Sequence, residues 1–145
     1  MLALRDLHSR DIIYRDLKPD NVVIQEDGHA CLIDFGMTKS DIANSTSGAK
    51  TFCGSIKYLA PEMLKKTGHG QSLDWYLLGV LLFEMTIGVT PYFSTNRDTL
   101  FDNILYSNLK FPKNISPELK DLLTKLLKRT PSKRLGSAPG NEGAQ

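Results

Sequence analysis

The sequence is short of several things at once. It has two cysteines, Cys31 and Cys53, with no second pair and no metal-ligand spacing, so neither a disulfide framework nor a structural zinc site is available. They read as reduced thiols of an intracellular protein. Long apolar runs are missing too. The most apolar one, Leu77 to Phe83, is far below the roughly 20 residues that a membrane-spanning helix needs. Near the start, Arg5 and Asp6 interrupt the chain before the apolar region of a signal peptide can form. Charge of one sign is not in excess: 18 Lys and Arg face 16 Asp and Glu, a formal +2 spread along the chain. No basic block calls for nucleic acid or an anionic membrane. A cytoplasmic protein with no nucleic-acid partner is expected.

What is present suits one domain, since 145 residues with 41% hydrophobic content can bury a core. Residues 1 to 9 read as the tail of a helix, with Leu2, Leu4 and Leu7 apolar and no N-cap ahead of them. Val22-Val23-Ile24 and Ala30-Cys31-Leu32-Ile33 are β-rich runs separated by Glu26-Asp27-Gly28, a hairpin turn signal. Residues 37–50 are small and polar, the composition of a long loop. Ser72 is placed to cap a helix from Leu73 to about Ile87 that is apolar on every side and therefore buried all round. Gly88 and Pro91 end it. A further helix is expected over Arg97 to Tyr106. Another opens on Ser116 as N-cap with Pro117 at the first helical position. There Leu119, Leu122, Leu123, Leu126 and Leu127 recur at helical spacing and make one apolar face. A hairpin followed by helices is a mostly helical α+β arrangement.

The chemistry concentrates in Tyr14-Arg15-Asp16-Leu17-Lys18-Pro19-Asp20-Asn21. Pro19-Asp20-Asn21 is turn chemistry, so these charges sit on a loop between elements. Asp16 and Asn21 can supply a proton acceptor and a metal-ligating oxygen, and Lys18 between them can meet an anion. The same octapeptide also reads as a solvated turn with surface charges. Leu32-Ile33-Asp34-Phe35-Gly36 adds a carboxylate just past a strand taken as buried, then a glycine that lets the backbone turn. Mg²⁺ takes oxygen ligands, commonly one or two carboxylates plus substrate phosphates. Asp34 and Asn21 at the ends of a two-stranded hairpin would lie side by side and suit it.

Together these stretches resemble the C-terminal lobe of a eukaryotic protein kinase. Tyr14 to Asn21 matches the catalytic-loop pattern H-R-D-L-x-x-x-N with Tyr in the His place. Asp34-Phe35-Gly36 matches D-F-G, and Ala60-Pro61-Glu62 matches A-P-E. The Tyr variant, with Thr51-Phe52-Cys53-Gly54 ahead of Tyr58 to Glu62, is similar to the AGC group of Ser/Thr kinases. The similarity runs on through Asp74-Trp75 to Lys133-Arg134-Leu135-Gly136.

The resemblance implies ATP and Mg²⁺ as cofactors and protein Ser/Thr residues as substrates. Asp16 would take or orient the substrate hydroxyl proton, Asp34 and Asn21 would hold Mg²⁺, and Lys18 would stand by the γ-phosphate. Thr51 matches the activation-loop phosphosite, modified by an upstream kinase, with Arg15 and Lys39 as its receiving cations. Ser55 matches the hydroxyl beside the catalytic Asp and Lys. Phe52, Ile56 and Leu59 would line the pocket for the residue after the phosphoacceptor, and Asp20 and Glu84 would favour Arg-containing substrates. Asp74 would accept backbone N–H groups of the catalytic loop, and Glu62 and Arg134 would form a buried ion pair. Trp75 reads as core.

Two departures qualify this. Where the group commonly reads G-T-P-E-Y, this chain has Gly54-Ser55-Ile56-Lys57-Tyr58, and Lys57 reverses a charge beside the substrate groove. None of the 11 glycines forms a G-x-G-x-x-G, and no V-A-I-K-like stretch occurs. A kinase domain cut at both ends, inactive in isolation, is therefore expected. The alternatives are a kinase remnant that only docks partners and a small-molecule phosphotransferase. The stretch from Thr51 to Glu62, a peptide platform, speaks against the latter.

Overall fold

The computed structural model describes residues 1–40 and 56–137. Its elements run in the order helix α1 (Leu2–Ser9), strands β1 (Val22–Ile24) and β2 (Ala30–Leu32), then helices α2 (Pro61–Leu64), α3 (Ser72–Ile87), α4 (Arg97–Tyr106) and α5 (Pro117–Leu126). The two strands pair antiparallel with Val22 opposite Leu32 and Ile24 opposite Ala30. Gly28, at a φ of 83°, makes the turn between them. Helix-rich with a single two-stranded sheet among the described residues, the molecule has the expected α+β composition.

Helix α3 is the spine. Every residue from Ser72 to Leu81 is buried, as its apolarity requires, but the expected all-round burial does not reach the C-terminal end, where Met85 is 71% exposed. Gly88 closes it in the left-handed region at a φ of 90°, its N–H donating to the Glu84 carbonyl. Ser72 does not cap it. It lies inside the first turn with Gln71 at the cap position, and its buried hydroxyl has no partner. The turn instead begins with backbone bonds from Leu73 to Gly70 and from Asp74 to Gln71. Helix α5 packs on α3 with Leu123, Leu126 and Leu127 buried. Gly79 makes that closeness possible, because a β-carbon there would come within 2.9 Å of Leu126 Cβ. Ser116 caps α5, its Oγ accepting from Leu119 N–H at 3.2 Å.

The hairpin departs from expectation. Its apolar runs are not core: Ile24 is 69% exposed and Ile33 40%. A two-stranded ribbon has too little width to bury both faces, and here only Val22 and Leu32 pack against the main cluster. Among the described residues no helix is long and apolar enough to cross a membrane.

Candidate active site

The loop from Ile13 to Asn21 crosses between α1 and the hairpin, and tertiary contacts hold it from below. The Asp74 carboxylate, fully buried in the first turn of α3, accepts Tyr14 N–H at 2.9 Å and Arg15 N–H at 2.8 Å. His8 Nε2 donates to the same carboxylate at 2.7 Å, and Gln71 Nε2 donates to the His8 carbonyl at 2.9 Å. This anchorage sustains an unfavourable conformation: Arg15 sits at a φ of 71°, where a non-glycine residue is strained. Tyr14 adds a hydrogen bond from its hydroxyl to the Ile33 carbonyl, tying the loop to the far strand. Burial, helped by the Asp16 and Asp34 charges, pushes its phenol up to about 12, further from ionisation than an ordinary tyrosine.

Above this base the polar groups converge. Asp16 is 7% exposed, and its Oδ2 accepts Lys18 Nζ at 2.9 Å and Asn21 Nδ2 at 2.8 Å. Asn21 Nδ2 also donates to the Asp16 carbonyl at 2.8 Å. The Asn21 nitrogen is thus engaged by Asp16, and its amide oxygen is an acceptor by chemistry. The Lys18 ammonium is stabilised in its charged form first by its hydrogen bond to Asp16. Ile33 N–H donates to the Asn21 carbonyl at 3.0 Å, which sets Asp34 next to Asn21 across the hairpin mouth. Asp34 is exposed, at a φ of 59°, and its Oδ1 accepts Gly36 N–H at 3.0 Å. Phe35 turns back edge-on to Tyr14, ring centroids 5.6 Å apart.

This donor set fits Mg²⁺ held together with a phosphate. Asp34 offers an exposed carboxylate beside Asn21 at the end of the hairpin, while no three His, Cys, Asp or Glu side chains cluster into a protein-only cage among the described residues. The remaining predicted residues fall as follows. Arg15 Nε donates to the Met37 carbonyl at 2.6 Å, while its buried Nη1 has no partner. Lys39 forms a β-bridge with Ile13 and keeps its side chain exposed. Glu84 accepts the Tyr58 hydroxyl, Asp20 is exposed, and Ile56 is 40% exposed. Leu59, at 1% exposure, is core. Glu62 and Arg134 pair through two parallel bonds of 2.6 Å, both side chains buried. Thr51, Phe52 and Ser55 lie outside the described residues.

Sequence reasoning missed His8, Gln71 and His69. His8 has a legible signal only in hindsight, as a polar residue on the apolar side of α1 with Leu4. His69 has none: it is 2% exposed with no partner for Nε2, and burial lowers its affinity for a proton, the Arg15 guanidinium adding to the effect.

A family model described as protein kinase domain matches residues 1–141. Protein kinase 2 of Dictyostelium discoideum is 49% identical over 143 residues, covering 99% of this chain and 29% of that protein. Protein kinase 3 of the same organism is 45% identical, covering 97% and 16%. The human RAC-beta serine/threonine-protein kinase is 44% identical over 139 residues, covering 96% and 29%. The chain thus spans less than a third of the length of these curated relatives. With the loop geometry and these matches together, the chain belongs to the protein kinase family, within the AGC group of serine/threonine kinases.

Proposed function

We propose that these residues form the catalytic half of a serine/threonine protein kinase that transfers the γ-phosphoryl group of ATP to Ser or Thr hydroxyls of protein substrates. The observation that carries this reading is the Asp16 carboxylate held by both Lys18 and Asn21. A buried acceptor fixed from two sides can orient a substrate hydroxyl and receive its proton, and phosphoryl transfer depends chiefly on such positioning and on charge stabilisation. Asp34 and the Asn21 amide oxygen would hold Mg²⁺, which when bound neutralises phosphate charge. Lys18 can swing from Asp16 to a transferring phosphoryl group, its ammonium being only part-buried. Arg15, with Nη1 free, and Lys39 would receive a phosphate placed on Thr51 by an upstream kinase.

The 145 residues contain no Gly-rich phosphate loop and no strand lysine to pair with it. By themselves they leave ATP without its clamp, so the isolated chain turns over no faster than its Asp16→Asn variant. The test separates the two statements. The chain alone is assayed with Mg-ATP and a basic Ser peptide, and turnover clearly above the variant sinks the inactivity claim. The same residues are then exchanged for the matching stretch of the RAC-beta kinase. That chimera phosphorylates the peptide, and Asp16→Asn lowers the rate by about 10²- to 10⁴-fold. A chimera that binds ATP yet transfers nothing would refute the kinase reading.

A further inference from the structure

The even charge balance of the whole chain conceals an uneven one. Between residues 107 and 137 stand eight Lys and Arg against two Asp and Glu. The two arginines are engaged internally. Arg134 pairs with Glu62. Arg129 donates to the Ile104 carbonyl at 2.8 Å and to the carbonyls of Asn103 and Ser107, closing the C-terminal end of α4. Lys125 pairs with Asp121 on the outer side of α5 at 2.6 Å. Lys120 and Lys128 are exposed, and no carboxylate pairs with either among the described residues.

These two lysines face the same groove, of about 490 Å³, between α5 and the segment following α4. Its lining includes Tyr92, Leu109, Phe111 and Thr124 beside them. Lys120 and Thr124 stand four apart on one face of α5, and Lys128, two residues past the helix end, lines the same groove. Asp121 and Lys125 lie roughly 100° or more around the helix from Lys120. The ammonium of Lys120 stands 5.8 Å from the centroid of Phe111, and the Arg129 guanidinium 5.3 Å from that of Tyr92. The wall is braced before anything binds, since Arg129 fastens the end of α4 to it.

We infer that this groove docks an extended acidic peptide segment of a partner protein, with carboxylates on Lys120 and Lys128 and an apolar side chain between them on Leu109 and Phe111. The spacing sets the register. Helical rise from Lys120 to the last helical residue, Leu126, covers about 9 Å, Lys128 follows two residues past the helix end, and an extended peptide covers such a span in about three to four residues at about 3.3 Å each. The motif is therefore an acid, an apolar residue, and a second acid three or four positions after the first. Nothing in this surface overlaps the Asp16 loop, so docking adds a recruitment site to the proposed kinase and stands even if that reading fails.

The probe is a fluorescein-labelled decapeptide with Glu at two positions four apart around a central Leu, with a twin bearing Gln at both. Anisotropy titrations on the full chain show saturable binding of the Glu peptide. The Gln twin, and the Lys120→Gln/Lys128→Gln variant, each weaken it by at least about tenfold, equivalent to roughly 1.4 kcal/mol. Lys110→Gln/Lys113→Gln removes the same charge from outside the groove and leaves binding within about twofold. Circular dichroism melts verify that both variants keep the parent fold. The proposal is overturned if the Glu peptide does not bind, if the Gln twin binds equally, or if both double variants lose equally. It is overturned too if polyuridine RNA or phosphatidylserine vesicles bind through Lys120 and Lys128 while the peptide does not.

Discussion

Asp74 shows how one residue shapes the site from outside it. Its fully buried carboxylate accepts three hydrogen bonds, two from the backbone of Tyr14 and Arg15 and one from His8. Those bonds stabilise the left-handed Arg15 and, with it, the direction in which Asp16 points. Asp74→Asn puts an amide N–H against groups that are already donors. The expected loss is on the order of 3 kcal/mol, about what two charged hydrogen bonds contribute, read as a shift in the urea unfolding midpoint. In the proposed chimera it also lowers kcat more than KM. His69 makes a second residue-scale prediction. Burial first, then the Arg15 charge, holds it below its ordinary 6.5, Lys39 acting the same way and Glu62 and Asp74 against. The unfolded chain therefore takes up this proton more readily than the folded one, and protons favour unfolding. Its contribution is fully present above about pH 6.5 and fades as pH falls toward the folded value. Melting temperatures drop between about pH 7.5 and pH 5.5, and His69→Gln flattens that drop. An unchanged slope in the variant would count against it.

At the scale of elements, helices and hairpin were legible where local physics is sufficient. Ser116 and Pro117 mark the start of α5 and the leucine spacing its buried face, whereas the cap of α4, the Asn96 carboxamide accepting Thr99 N–H at 2.9 Å, emerges only in the structure. Ser116→Ala removes an acceptor that no neighbour replaces, and destabilises the fold by about 1 kcal/mol in thermal or chemical melts. Ser72 failed as a cap for an equally physical reason. A serine before an apolar run signals a helix start only if the chain turns in at that residue. Here the preceding Gly70-Gln71 already turn, which draws Ser72 inside. The strands were located correctly but their burial was not, because β-branched composition reports strand propensity and not what covers the strand.

For the molecule as a whole, cohesion depends on contacts far apart in sequence. Glu62 and Arg134 lie 72 positions apart, yet their bidentate pair fixes α2 to the chain's last described turn. Arg134 also donates to the Ser72 carbonyl at 3.2 Å and lies over the Tyr76 ring, so the pair grips α3 as well. Close by, Gly136, at a φ of 85°, passes so near Trp75 that a β-carbon would come within 2.7 Å of the indole. Glu62→Ala leaves a buried guanidinium without its partner and costs about 3–5 kcal/mol. Denaturant unfolding measures this, and a loss below about 1 kcal/mol would show that the pair is solvated.

Sequence alone determined the identity of the groups: an aspartate, a lysine and an asparagine within six positions, an Asp-Phe-Gly after a hairpin, and the helices beneath them. Those are local patterns, and residue type and spacing suffice to state them. Tertiary structure decided the rest. It turned Asp16 toward Lys18 and Asn21 through a carboxylate 58 positions away, left Ile24 and Ile33 of the hairpin exposed, and brought Lys120 and Lys128 to one groove lined by Tyr92 and Phe111. None of that has a local signature, because burial and hydrogen-bond partnership depend on which distant segments the packing of α3 brings together.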